Sequence, residues 1–262
     1  MTSTALKILA LVLMFLDHIA EFIPGTPIWL HWLGRVSAEL FLFCMCWGFH
    51  YTHDRKLYLK RMYLFGVLMA CGNLAFNLLW PDPVVPIFNN IFVILLITGI
   101  LCGIIDLYKT DKKKMWKYLI YFFLFQVAST VIITLAISFI KEPVLATEIT
   151  MFIGAILPNM IFSEGSIIIA AIGLLIYYTK ESKTKLAIAY TLFCIIYMVF
   201  VDASGGWTAD NLLFTNYQWM MIAAIIPMLL YNGKKGKGYK YLFYIFYPVH
   251  IYLLFIIGNL IK

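Results

Sequence analysis

Residues 6–23 read LKILALVLMFLDHIAEFI, and this stretch decides the fold. Eighteen consecutive positions, nearly all apolar, match the roughly 20 residues that an α-helix needs to cross the hydrocarbon of a bilayer. Only a helix or a closed barrel satisfies its backbone groups there. The stretch could be a secretory signal, but it contains Asp17, His18 and Glu21 and lacks a small-residue cleavage site before the next apolar run. It reads as a retained helix.

The pattern repeats along the chain. Of 262 residues, 63% are hydrophobic and 13% charged, about half the charged fraction of an average soluble domain. Apolar runs predict spans at 6–23, 27–51, 61–80, 86–107, 118–140, 166–179, 186–201, 217–231 and 241–261. A tenth run, 149–162, is short, is interrupted by Pro158 and leads into Ser163-Glu164-Gly165-Ser166, which suggests a re-entrant or interfacial piece. The expected fold is an all-α polytopic transmembrane bundle of nine spans plus this short segment, forming one domain over 1–262.

The net charge of +7 is a topology signal rather than a nucleic-acid footprint, because its lysines cluster between apolar runs. With 149–162 not spanning, 17 of the 20 basic residues gather on one side, leaving Lys141, Lys262 and the intramembrane Arg35. That side is the cytoplasm by the positive-inside rule, which places the N-terminus in and the C-terminus out at a cytoplasmic (inner) membrane. The five cysteines (Cys44, Cys46, Cys71, Cys102, Cys194) all fall within apolar runs and read as small hydrophobes. No metal-ligand spacing occurs, and the chain lacks the internal repeat common in transporters.

Ionisable side chains at membrane depth are costly and therefore mark function. Lys7 and His18 are eleven positions apart, about three turns, so they share a face with His18 about 16 Å deeper. Glu21, at i+3 from His18, shares that face and is expected to orient the imidazole; Asp17 points about 100° away, toward another helix. Arg35 and Glu39 are i,i+4 neighbours in the second span, and His50 follows Glu39 by eleven residues. In the last span Tyr247-Pro248-Val249-His250 combines a helix-interrupting proline with a histidine at a depth like that of His18. Each histidine alone could be a hydrogen-bonded packing residue, but the two at matching depth, among four charged groups, favour a site. Asn73, Asn77, Asn89, Asn90, Gln126 and Asn159 read as interhelical hydrogen-bond formers. His31 and His53 read as solvated loop residues. The loop 50–61, HYTHDRKLYLKR, reads either as positive-inside bias or as a phosphate cradle.

The ordered set MFLDHIAEFIP (14–24), WLGRVSAELFLFCMCWGFHYTHDR (32–55), FNNIF (88–92) and FYPVHIYLL (246–254) resembles the TraX family of conjugative pilin acetyltransferases. That family is similar in layout to membrane acyltransferase type 3 proteins, which carry a basic residue, ten residues and a histidine in the first helix, as Lys7 and His18 do. Their paired cytoplasmic arginines are matched only approximately by Arg55, Lys56, Lys60 and Arg61, and their usual ten spans differ from the nine read here.

The resemblance implies transfer of an acetyl group from cytoplasmic acetyl-CoA to an acceptor reached through the bilayer, a protein N-terminal amine or a glycan hydroxyl. On this reading His18 is the general base, with Asp17, Glu21, Arg35, Glu39 and His250 around it. Lys7, His50, Arg55, Lys60 and Arg61 would hold the donor, and Asn90 and Tyr247 the acceptor. Arg35 or a helix amide would face the developing oxyanion. A proton-coupled carrier or flippase using the same buried groups is the alternative, and a structural assembly subunit is a third reading.

Overall fold

The structure is a computed structural model that describes residues 1–80 and 82–261. It is helical, and no β-strand occurs among the described residues. The helices are α1 (Ser3–Phe22), α2 (Trp29–Gly34), α3 (Ser37–Tyr51), α4 (Arg55–Leu79), α5 (Ile91–Asp106), α6 (Lys112–Ile137), α7 (Pro143–Ile156), α8 (Ser166–Thr179), α9 (Lys183–Phe200), α10 (Ile225–Leu229) and α11 (Lys240–Leu260).

Five stretches are long and apolar enough to cross a membrane: Arg55–Leu79, Ile91–Lys109, Lys112–Ile137, Lys183–Gly205 and Tyr241–Leu260. Helix α1 is about 30 Å long, equal to the hydrocarbon thickness, but carries Asp17, His18 and Glu21 in its second half. Helix α6 shows what surrounds the protein. Phe123, Leu124, Ile132 and Leu135 are each at least half exposed, a surface that water would not tolerate and lipid tails solvate. The chain is a membrane protein.

Local sequence sets where several helices begin. Asp54 caps α4 by accepting from the Leu57 N–H at 2.8 Å, and Asp111 caps α6 by accepting from Lys114 at 2.9 Å. Glu142 caps α7, accepting from the Val144 and Leu145 amides, with Pro143 in the first turn, where its missing N–H costs nothing. These caps satisfy amide donors that a helix start leaves without internal partners.

The chain divides into two compact units: Met1–Trp47, Pro83–Val85 and Leu175–Lys262 form one, and Gly48–Asp82 with Pro86–Leu174 the other. In the first, α1 packs on α2 and α11 through a buried stripe at four-residue spacing: Leu6, Ala10, Met14, His18 and Phe22. The start of α1 is tied to the segment before α11. Ser3 and Thr4 donate their amides to the Lys234 and Lys235 carbonyls at 2.9 and 3.1 Å, and the terminal amine of Met1 meets the Leu230 carbonyl. Residues 1–4 and 230–237 therefore lie at one membrane surface. In the second unit, α4 packs on α5 and α7, and α6 on α5 and α7.

Three expectations are corrected. The span 27–51 is two helices, interrupted at Arg35 and Val36, because the Arg35 side chain is drawn to α1 as described below. The span 217–231 is a 3-10 segment, Gln218–Ala224, followed by the short α10. The 149–162 run belongs to a helix that starts earlier, at Pro143, and ends at Ile156.

Two glycines set the close approach to α1. A Cβ on Gly34 would sit 2.2 Å from Asp17 Cγ, and one on Gly258 would sit 2.1 Å from the Phe22 carbonyl oxygen. Gly34→Ala is expected to destabilise the protein by about 1–3 kcal/mol, the usual cost of overpacking. Gly238→Ala, where a Cβ meets nothing within 4 Å, should leave the melting temperature in detergent unchanged.

Candidate active site

His18 and His250 meet inside the first unit. His18 Nδ1 lies 2.7 Å from His250 Nε2, with the rings 15° from parallel and their centroids 4.9 Å apart. Their exposures are 4% and 3%, so neither ring has water to satisfy its nitrogens. Phe246 stacks on His250 at 4.7 Å, and Phe15, Phe22 and Tyr247 present ring edges to the pair. The two histidines come from opposite ends of the chain, and their matching depth in the sequence is what allows them to touch.

The hydrogen-bond network assigns the protons. His250 Nδ1 is 2.6 Å from the Phe246 carbonyl, one turn back along α11. A carbonyl only accepts, so His250 Nδ1 carries hydrogen and, in a neutral imidazole, Nε2 is the acceptor. His18 Nδ1 must then donate to it, which leaves His18 Nε2 with a free lone pair. Glu21 Oε2 stands 3.8 Å from that nitrogen, too far for a hydrogen bond yet close enough to stabilise charge gained there. The sequence assigned the orienting role to Glu21; in the structure His250 holds the ring.

Asp17 turns away from His18, as its angular position requires, and anchors a second network. Arg35 Nη2 reaches both Asp17 oxygens at 2.8 and 3.1 Å, and His31 Nδ1 lies 2.7 Å from Oδ1. His31 is therefore a partner of Asp17, packed parallel to Tyr217, and the reading of it as a solvated loop residue is corrected. Arg35 also donates to Gln218 Oε1 at 3.0 Å and to the His31 carbonyl at 3.3 Å. Its donors are engaged in clamping α2 and the 3-10 segment onto α1.

Glu39, four residues on, is fully buried, and neither carboxylate oxygen has a hydrogen-bond partner among the described residues. An ionised carboxylate so placed costs several kcal/mol, which keeps Glu39 among the functional candidates.

The remaining sequence candidates are divided between the two units. Lys7 is on α1, over the Phe243 ring at 5.5 Å, and Tyr247 is beside both imidazoles. In the second unit, Arg55 is paired with Asp106 at 2.6 Å and rests on Phe49. His50 and Lys60 are exposed and Arg61 half-buried.

The asparagines, expected to bond helix to helix, instead join helices to loops. Asn77 bonds both polar groups of Ile87, Asn73 donates to the Asn89 carbonyl, and Asn159 donates to Ser129 and Thr130.

Fold and site together define a helical membrane protein with a buried histidine pair. Comparison with known proteins then narrows the class. Residues 2–116 match the family model described as TraX protein, so the resemblance carried by the first three motifs is borne out; the fourth, at 246–254, lies beyond the matched residues. The chain is also 25% identical over 264 residues to a protein of Dichelobacter nodosus named as a probable fimbrial assembly protein FimC, serogroup H1, covering 95% of this chain and 92% of that one. No solved structure matches.

The Asp17–Arg35 pair is open to a direct test. Asp17→Asn should destabilise the protein by about 2 kcal/mol, between the values for exposed and fully buried pairs. Adding Arg35→Gln should recover part of that loss in thermal melts, because it removes the uncompensated charge.

Proposed function

We propose that this protein is a membrane acetyltransferase that moves an acetyl group from acetyl-CoA to an amine or hydroxyl acceptor, with His18 as general base. The observation that carries the reading is the bare Nε2 of His18, held in its tautomer by His250 and the Phe246 carbonyl. The TraX match over residues 2–116 and the relative named for fimbrial assembly support an acceptor of the pilin type. The protein is read as lying in the cytoplasmic membrane with its N-terminus inside, where the donor is made available.

Acetyl-CoA supplies the activated acetyl carbon. His18 Nε2 takes the proton of the acceptor N–H or O–H as that nitrogen or oxygen bonds to the acetyl carbon, and returns a proton to the departing sulfur. Glu21, 3.8 Å away, stabilises the imidazolium between those events. His250 positions His18, and Tyr247 positions the acceptor beside it. The donor phosphates fit solvent-accessible cationic groups, which Lys60 and Arg61 provide; Arg55, His50 and Lys7 complete the proposed donor-binding set. Because His18 is only 4% exposed, acetyl transfer requires the aromatic cover around it to move.

The test is turnover by purified protein in lipid with labelled acetyl-CoA. His18→Ala should lower the rate about 10²–10⁴-fold, the usual contribution of a positioned base. His250→Ala should lower it less, since it removes only the orienting bond. Near-normal turnover in His18→Ala, or ion-gradient-driven flux that needs no acetyl-CoA, would contradict the proposal.

A further inference from the structure

Helix α6 belongs to the second unit. Its buried residues, Met115, Gln126, Ser129 and Ile133, share one side. A stripe on the opposite side begins with Lys113 and Lys117 and continues through Ile120, Leu124, Val127, Val131 and Leu135. These positions fall within about 40° of one line along the helix, and every one is exposed. From Lys117 to Ile137 is about 30 Å of helix, the thickness of the hydrocarbon. The two ammonium groups therefore stand at headgroup level, with alkyl side chains below them.

The charge at that level is one-sided. Lys109, Lys112, Lys113, Lys114 and Lys117 fall close together, with Asp111 the one acid among them, and no Asp or Glu follows until Glu142, beyond the far end of α6. Asp111 Oδ1 caps the helix through the Lys114 amide, and Asp106 is taken by Arg55. None of the five lysines has an ion-pair partner among the described residues. They crowd the positive end of the helix dipole, so the helix offers no offset. Lys112, Lys114 and Lys117 rest over the rings of Tyr108, Tyr118 and Tyr121, and Trp116 beside them is exposed, a setting that aromatic side chains favour at a membrane surface.

We infer that this face of α6 holds an anionic phospholipid, its phosphate on Lys113 and Lys117 and an acyl chain along the aliphatic stripe below. Charge complementarity selects this occupant: clustered lysines at the end of a membrane helix draw anionic lipid, whereas a zwitterionic headgroup brings a cation of its own against them. A second copy of the chain fits worse, because two copies in the same membrane orientation would set lysines against lysines along this face. The inference is independent of acetyl transfer, since it uses neither histidine and none of the proposed donor-binding residues.

The test is native mass spectrometry of the full-length protein in detergent, titrated with phosphatidylglycerol and with phosphatidylcholine of the same acyl chains. Phosphatidylglycerol should bind at least about fivefold more tightly, the effect of a single lysine at a membrane surface. Lys113→Gln combined with Lys117→Gln should erase that preference. Lys183→Gln combined with Lys185→Gln, at the exposed start of α9, should leave it intact. Thermal melts in the same detergent report that each variant is folded. Equal affinity of the wild type for the two lipids, an unchanged preference in the folded Lys113 and Lys117 double variant, a dimer that excludes lipid, or displacement by glycerol phosphate at the lipid's own concentration would each overturn the assignment. The same titration on His18→Ala should be unchanged, so failure of the catalytic proposal and failure of this one are separately visible.

Discussion

The hydrogen bond from His18 Nδ1 to His250 Nε2 is the constraint on which the functional account depends. Two imidazoles removed from water must satisfy each other, and a backbone carbonyl at one end gives the chain of donors a single direction. A proton relay in which every partner were ambiguous would leave either nitrogen of His18 free. Here the Phe246 carbonyl removes the ambiguity, and the basic nitrogen faces the Glu21 carboxylate instead of the partner ring.

That arrangement needs α1 and α11 in close contact over their length, and the fold supplies it by small residues and by termini. Gly258 admits the Phe22 carbonyl against α11. At the other end, the first turn of α1 donates its amides to the carbonyls of 234–235, so amides that usually seek a cap bind the segment leading into α11. Asp17 and Arg35 hold α2 to another face of α1. The ion pair and the histidine pair are sequence neighbours that point about 100° apart, which lets one helix carry a structural network and a chemical one.

Much of this was legible in the sequence. Long apolar runs between charged turns predicted α1, α9 and α11 to within three residues and α4, α5 and α6 to within six, because for these helices lipid solvation sets both length and composition. The common depth of His18 and His250 followed from counting residues inward from Lys7 and Lys240, and the angular position of Asp17 indicated an interhelical partner. The i,i+4 spacing of Arg35 and Glu39 misled, since a bidentate carboxylate on another helix outcompetes a local one, and the helix breaks where Arg35 turns. His31 looked like a loop residue because nothing local reveals that Gly34 brings its helix against Asp17. The convergence of Asn73, Asn90, Glu148 and Glu164 could not be read at all, because it arises only through the packing of α4, α5, α7 and the loop after α7.

The proton assignment is the most direct point of contact with experiment. Solid-state nitrogen NMR of the ¹⁵N-histidine-labelled protein in lipid, with His18 assigned by comparison with His18→Ala, distinguishes protonated from bare ring nitrogens. The account requires His18 to be neutral with Nδ1 protonated and coupled across a hydrogen bond to His250 Nε2, and with Nε2 bare. A protonated Nε2 on neutral His18, or the absence of any coupling between the two rings, would contradict it.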